Sequence, residues 1–357
     1  MESAERSEVP DTPETTSKPD KSDGEVRVRP LWQRVLFTVL KVAIGAALVV
    51  FLGLQLHASW VRVRAEAIEV SIHWPLMILS ILLQAAAYYA LGLAWYRGFV
   101  ALGGGKVPWH AAVYGFAWTN LVRYVPGPVG KALLPVSRSA AFKPYGVPAS
   151  VTIASMGLEA ICTILLGLLI FAITIPFQAM SDPKLRAYAW ACLLVIPLLA
   201  ALHPKVFQWL VSRMGRLLRE DVGECRISFR DQLAVLGWWL IAWSLLAGSF
   251  YPYVASVAQV PASQAVLIAA SYAFAWVMSM ILLVMPAGLG IREGILVLLL
   301  DGPVGALAGI LAVASRLWTL VAEGVCLLTA FLIYLAFGRG QAPNPAQASE
   351  VAETATD

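Results

Sequence analysis

Residues 123–131 read RYVPGPVGK and residues 286–293 read PAGLGIRE. Each stretch follows a long apolar segment and precedes another apolar segment that carries an ionisable residue. Both contain the pattern Pro-x-x-x-Gly, and a cation follows each pattern. The core of a bilayer accepts a broken backbone beside charges only where they line a polar cavity. The two stretches therefore predict a membrane protein with an internal cavity and a substrate that moves through it.

The composition of the chain is that of a helical membrane protein. Hydrophobic residues make up 59% of its 357 residues and charged residues 13%, whereas soluble domains carry about 25% charged residues. We therefore expect an all-α fold, a polytopic membrane bundle of about six to eight membrane segments. The cations behind the net charge of +4 cluster beside apolar segments, so they indicate membrane orientation and not binding to nucleic acid.

Three regions differ in composition along the chain. Residues 1–30 and 339–357 are polar and rich in residues typical of disordered tails. Residues 31–338 form the predicted membrane domain, and we expect no signal peptide. Apolar runs near the spanning length of about 20 residues lie at 33–56, 74–96, 109–125, 148–178, 186–203, 233–255, 263–285 and 304–337.

The distribution of arginine and lysine predicts the orientation of the chain. Cations at the start of the first apolar run and throughout the loop 204–231 place the N-terminus and this loop in the cytoplasm. The same loop has the periodicity of an amphipathic interfacial helix, with an ordinary solvated loop as the alternative. Arg339 places the C-terminus inside as well.

This orientation requires an even number of crossings between the N-terminus and the loop 204–231, but five apolar runs lie between them. We therefore predict that 109–146 enters the membrane and returns as a re-entrant hairpin. By the same reasoning 263–303 is a hairpin from the opposite face, although 263–285 is long enough to span alone. Two opposed hairpins are typical of an inverted repeat. The residues predicted to break the backbone and open a groove are Pro126, Gly127, Gly130, Pro286, Gly288 and Gly290.

Ionisable residues inside apolar runs are candidates for the site. Glu159 lies well inside 148–178, where an unpaired charge costs about 3 kcal/mol. Arg316 and Glu323 are seven residues apart, about 10 Å along a helix, so they share a face without bridging directly. We expect Arg316 to pair with Glu159 or Glu293, or to bind a phosphate. For Glu323 we favour a structural position near the far interface.

The cations beside the two breaks predict an anion site. Arg292 and Glu293 follow the second break, and a half-helix that begins near residue 291 would present positive amide groups there. Arg123 and Lys131 flank the first break and are expected to do the same from the other face. By contrast, we interpret Arg138 and Lys143 as interfacial anchors, whose charges reach the headgroups without specificity.

Other chemistry finds no support in the sequence. The four cysteines and four histidines lack the spacing of a disulfide framework or a metal site, so we expect no metal and no cofactor. The cysteines are interpreted as small buried hydrophobic residues. Nucleophile-elbow, Walker A and zinc-protease motifs do not occur, so the chain is not expected to be an enzyme.

Several of these residues together resemble a known family. The stretch 123–131 looks like the R-Y-x-P-G-x-x-G element of the lysylphosphatidylglycerol synthase transmembrane-region family, also called the flippase-like domain family. Glu159 matches a glutamate in the next helix of that family, 286–293 its G-x-G-x-R-E element, and Arg316 an arginine in its last helix. The resemblance covers almost all of 31–338.

The resemblance implies a bacterial inner-membrane protein. In the best-known members the domain is fused to an aminoacyl transferase and flips the modified phospholipid, and related members accompany hopanoid or glycolipid pathways. We expect no such transferase among these residues, so only the flippase-like role carries over. Ala160 stands where an arginine often follows the glutamate, which leaves open what pairs with Glu159.

From the residues and the resemblance we expect a translocase that moves an anionic or modified phospholipid or glycolipid between leaflets. Its substrate partner is a membrane lipid, and a lipid-modifying transferase is a possible protein partner. One alternative is a membrane-embedded transferase that uses a lipid substrate; the other is a scaffold for a lipid-modifying enzyme. The residues expected to bind the lipid headgroup are Arg123, Glu159, Arg292, Glu293 and Arg316.

Overall fold

The computed structural model describes residues 71–124, 128–179, 227–281 and 290–338, with isolated positions within 54–65 and 193–213. The continuous ranges are built from helices without strands. Their α-helices are α1 (Trp74–Phe99), α2 (Trp109–Asn120), α3 (Pro128–Phe142), α4 (Ala149–Ala179), α5 (Phe229–Gly248), α6 (Phe250–Ala255), α7 (Ala265–Ile281), α8 (Ile291–Val304) and α9 (Ala308–Gly338). Short π- or 3₁₀-helical turns lie at Val100–Gly104, Leu121–Tyr124, Lys143–Tyr145, Ala262–Gln264 and Gly305–Leu307.

The protein is a multi-pass membrane protein with an all-α bundle, as the composition predicts. Five segments of the described residues are long and apolar enough to cross a bilayer: Trp74–Gly104, Ala149–Thr174, Phe229–Ala255, Ala262–Ile281 and Ile291–Gly338. The predicted runs at 33–56 and 186–203, the loop 204–231 and the two tails lie largely or wholly outside the described residues.

The segment 109–146 forms a hairpin of two short helices. α2 has 12 residues and α3 has 15, so both are shorter than the roughly 20 residues that a crossing needs. Arg138 of α3 donates a hydrogen bond to Thr119 of α2, and Gly115 packs against Phe142. A later residue of α2 thus meets an earlier residue of α3, which makes the two helices antiparallel.

A second hairpin joins α7 and α8. The Arg292 guanidinium, at the start of α8, lies over the rings of Tyr272 and Trp276 in α7. α8 begins after Gly290, whose φ of 85° is a conformation that residues with a Cβ rarely adopt. The glycine therefore permits this conformation at the start of α8, and residues 282–289 before it lie outside the described residues.

The two hairpins belong to two similar halves of the chain, 74–179 and 229–338. Each half has a long apolar segment, then a hairpin, then a 31-residue helix, α4 in the first half and α9 in the second. The first segments of the halves, α1 and α5–α6, pack antiparallel to one another. The His73 amide donates to the Ser256 carbonyl at 2.7 Å at one end, and Gly98 packs near Val235 at the other.

Each half also packs its hairpin against the long helix of the other half. Phe274 of α7 stacks on Phe171 of α4 at 3.8 Å between ring centroids, and Tyr114 of α2 lies 5.6 Å from Phe331 of α9. In both contacts, the first helix of a hairpin packs against the 31-residue helix of the other half. This exchange, with antiparallel α1 and α5, is the arrangement that an inverted repeat predicts.

Hydrogen bonds between helices hold the centre of the bundle. Gln84 in α1 accepts from Ser249 at 2.5 Å and donates to the Tyr272 hydroxyl at 3.0 Å. The Trp318 indole of α9 donates to Ser80 of α1 at 2.9 Å. Such bonds between buried polar side chains are typical of helix contacts in membranes, where water does not compete for them.

Candidate functional site

A cavity of about 270 Å³ lies between the two halves. Its walls come from α1 to α4 of the first half and from α5 and α7 of the second half. The lining is largely aromatic and aliphatic, and the polar groups in it are few. The polar and aromatic lining residues are Tyr88, Phe116, Asn120, Arg123, Glu159, Thr163, Trp239, Trp243 and Trp276.

Arg123 lies at the cavity in the turn that follows α2, and 33% of its side chain is exposed. It forms an ion pair with Glu323 of α9, which is only 8% exposed. Its guanidinium also faces the rings of Tyr88 and Trp276, each at 5.9 Å from the ring centroid. A cation over aromatic faces is stabilised by their negative π surfaces, so Arg123 keeps its charge at the edge of the cavity.

The position of Glu323 corrects the prediction made from the sequence. This residue is at the midpoint of the 31-residue α9 and is buried in an ion pair with the first half, whereas the sequence favours a position near one end of the helix. As expected from their seven-residue spacing, Arg316 and Glu323 have different partners: Arg316 forms an ion pair with Glu293, and Glu323 with Arg123.

Arg138 is not the interfacial anchor that the sequence predicted. Its side chain is fully buried and bonds to Glu159 at 2.5 Å, to Asn120 at 2.7 Å and to Thr119 at 3.2 Å. Its guanidinium also lies 4.8 Å from the Phe116 ring centroid. Glu159 therefore pairs with Arg138 and not with Arg316, while 23% of its side chain stays exposed at the cavity. Lys143 is exposed in the turn after α3.

Glu293 joins the start of α8 to α9. One carboxylate oxygen accepts from the Gly290 amide at 2.8 Å, and the other belongs to the ion pair with Arg316. The first of these bonds is the half of a capping box in which the N3 side chain accepts from the N-cap amide. It satisfies an amide that the helix itself leaves without a partner. A carboxylate of the chain itself thus occupies part of the helix start that we expected to favour a lipid phosphate.

Arg292 is the most enclosed cation of the second half, with 7% exposure. It donates to the Thr319 hydroxyl at 3.2 Å and lies 4.8 and 4.9 Å from the ring centroids of Tyr272 and Trp276. Its Nε–H has no hydrogen-bond partner among the described residues. Two carboxylates, Glu293 and Glu323, are within electrostatic range of its guanidinium, and Glu323 is hydrogen-bonded to Arg123.

The predicted headgroup residues thus occupy two adjacent groups. Arg292, Glu293 and Arg316 form one group with Arg123 and Glu323, and Glu159, which lines the cavity, forms the other with the buried Arg138. Of the predicted backbone breaks, Gly130 lies in the first turn of α3 and Gly290 caps α8. Pro126, Gly127, Pro286 and Gly288 lie outside the described residues.

The sequence did not single out several residues of this site. Tyr88 and Trp276 look like ordinary aromatic residues of apolar helices, yet both line the cavity and flank Arg123. Asn120 could have been recognised from the sequence. A side-chain amide at the end of an apolar run is costly to bury without a hydrogen-bond partner, which indicates that it has one. Its partner, Arg138, only approaches it because the hairpin returns.

Comparison with models of known protein families and with curated proteins finds no match to this chain. Membership of the flippase-like domain family therefore remains a prediction from the motifs.

Proposed function

We propose that this protein moves a lipid with an anionic or modified headgroup between the two leaflets of a bacterial cell membrane. The observation that carries the proposal is the cavity between two antiparallel halves, with Arg123 and Glu159 on its walls. Transporters built from inverted repeats bind their substrates between the repeats near the middle of the membrane. We propose a cytoplasmic location for both termini, from the distribution of cations.

The chemistry of the cavity favours a headgroup as its occupant. Its volume of about 270 Å³ is at the lower end of the range for small-molecule pockets, so it suits a headgroup more than a whole two-chain lipid. Arg123 supplies a partly exposed guanidinium for a phosphate, and a guanidinium matches the geometry of phosphate oxygens. The acyl chains would stay in the bilayer beside the broken hairpins.

The buried ion pairs support a transport role over a purely structural one. Burying a charge pair costs more desolvation energy than a hydrophobic contact, so such pairs are weak sources of stability. Charged side chains at membrane depth commonly mark a substrate or ion path. Here three arginines and two glutamates, Arg123, Arg292, Arg316, Glu293 and Glu323, belong to linked ion pairs and hydrogen bonds, and Arg123 among them lines the cavity.

A reconstitution assay tests the proposal. Purified protein is placed in liposomes that contain phosphatidylglycerol or phosphatidylethanolamine with a fluorescent label, and the fraction of label that external dithionite can reduce is measured. We expect the reducible fraction to exceed that of empty liposomes. We expect Arg123→Gln, Glu159→Gln and Arg292→Ala to lower the rate of the additional reduction. Arg97→Gln, which changes an exposed arginine of α1, is the matched control and should keep the rate.

The alternatives predict a different result. If folded protein gives no reduction above empty liposomes with either lipid, translocation of these lipids is contradicted. A membrane-embedded transferase would instead consume a soluble donor and yield a modified lipid in the same liposomes. A scaffold would do neither, and its Arg292→Ala variant would still form a complex with a lipid-modifying partner.

A further inference from the structure

Three features of the described residues concern the same carboxylate. Glu323 is in an ion pair with Arg123, and Arg123 lines the cavity. Glu323 is also within electrostatic range of Arg292, as Glu293 is, and the Arg292 Nε–H has no acceptor among the described residues. Arg292 itself donates to Thr319, which is four residues before Glu323 on α9 and therefore on the same face, about 6 Å away along the axis.

We propose that Glu323 occupies the place of the substrate's anionic group at Arg123, and that it moves to Arg292 when a phosphodiester binds Arg123. This inference rests on the proposed function, since it assigns an anionic lipid headgroup to the same cavity. Beyond the proposed function, it identifies Glu323 as the group that competes with the substrate and Arg292 as the group that binds Glu323 afterwards. The anionic chemistry required is a phosphate ester, from a lipid headgroup or from free phosphate.

Arg123 is suited to exchange its partner. A third of its side chain is exposed and it borders the cavity, so a phosphate can approach it from the open side. The Tyr88 hydroxyl, on the same wall, has no hydrogen-bond partner in the described part of the chain. A phosphate that binds Arg123 would give this buried donor the acceptor that it lacks.

Arg292 is suited to receive Glu323. Its guanidinium is buried under two aromatic rings and, within the described residues, bonds to a neutral hydroxyl and to no carboxylate. A buried cation without a hydrogen-bonded counter-ion is unfavourable. Transfer of Glu323 from Arg123 to Arg292 would therefore leave neither the carboxylate nor the guanidinium unpaired. It would also exchange a contact between the two halves for one within the second half.

The test is a double-mutant cycle on binding, read separately from transport. The full-length protein in maltoside detergent is titrated with short-chain phosphatidylglycerol, and tryptophan fluorescence is followed because Trp276 is next to both arginines. Inorganic phosphate in place of the lipid tests free phosphate as the source. Short-chain diacylglycerol, which has no phosphate, tests the contribution of the tails.

The exchange predicts a specific pattern. Glu323→Gln removes the competitor, so the lipid should bind about tenfold more tightly, within the usual size of a coupling between sites. Arg292→Gln removes the receiving group, so the lipid should bind about tenfold more weakly. In the Glu323→Gln background, Arg292→Gln should have no further effect, because no carboxylate needs to be received. Asp301→Asn, at an exposed carboxylate of α8, is the matched control and should keep the wild-type affinity.

Other results overturn the exchange. Weaker binding by Glu323→Gln would mean that Glu323 belongs to the binding surface and does not compete with the substrate. Equal effects of Arg292→Gln in both backgrounds, with Arg123→Gln abolishing binding, would contradict the exchange and leave the anion site intact. Absence of binding by the wild-type protein would contradict both the exchange and the proposed anion site. If Arg292→Gln does not fold, Arg292→Lys replaces it, and its smaller loss should likewise vanish in the Glu323→Gln background.

Discussion

Arg123 and Glu323 form an ion pair although 200 residues separate them in the sequence. The pair connects the turn after α2 in the first half to the midpoint of α9 in the second half. By contrast, Arg138–Glu159 stays within the first half and Arg316–Glu293 within the second. This contact between the halves is therefore made by charges, unlike their aromatic contacts, and charged contacts respond to a charged ligand more than apolar ones do.

The Arg138 side chain should be essential for stability. Arg138→Gln leaves the Glu159 carboxylate without its buried counter-ion and Asn120 without its donor. Loss of one partner of a buried ion pair costs about 3–5 kcal/mol. We expect a large fall in the thermal unfolding midpoint in detergent, measured by tryptophan fluorescence. Lys143→Gln, at an exposed cation of the following turn, is the control; an equal fall in both variants would contradict the assignment.

Gly167 should be required for the packing of α4 against α7. A Cβ at this position would overlap Val277 Cγ2 and crowd the Trp243 ring, so Gly167→Ala forces the two helices apart. Overpacking of this kind costs about 1–3 kcal/mol. The control is Gly237→Ala on α5, where a Cβ meets nothing within 4 Å. Thermal unfolding of the two variants should therefore differ, and equal midpoints would show that α4 and α7 do not pack closely at this level.

Glu293 should contribute to stability in two separable ways. Glu293→Gln keeps a side-chain acceptor for the Gly290 amide but loses the ion pair with Arg316, whereas Glu293→Ala loses both. We expect the alanine variant to be less stable than the glutamine variant by about 1 kcal/mol, the usual value of a helix cap. Denaturant or thermal unfolding measures the difference. Asp301→Ala, near the C-terminal end of the same helix, should not destabilise the protein.

The open ends of the two hairpins should face opposite sides of the membrane. With Cys192 and Cys225 replaced, and Cys162 and Cys326 buried, single cysteines are introduced in turn at the exposed positions Lys143 and Ala262. An impermeant maleimide should label position 143 from the cytoplasmic side and position 262 from the other side. This follows from the antiparallel packing of the two halves. Labelling of both positions from one side would contradict the inverted repeat.

For the long helices, the bounds predicted from the sequence agree closely with those of the structure. The predicted runs at 74–96, 148–178 and 304–337 correspond to α1, α4 and α9. Hydrophobic length alone predicts such helices, because backbone polar groups in a bilayer must be satisfied within the helix itself. The hairpin form of 109–146 was also predictable, because its prolines and glycines leave helices too short to span.

The sequence by itself determined that this is a helical membrane protein, where its long helices lie, and that Glu159, Arg316 and Glu323 each need a partner. The identity of the partners was decided only by the tertiary structure. From the sequence, Arg138 looks like an interfacial anchor. In the structure, the antiparallel packing of α2 and α3 brings it into contact with Thr119, Asn120 and Glu159. Glu323 meets Arg123 only because α9 crosses to the hairpin of the other half. Hydrophobicity is a local property that each segment carries in its composition, whereas a pairing of charges depends on which helices become neighbours, and that is settled by packing across the whole bundle.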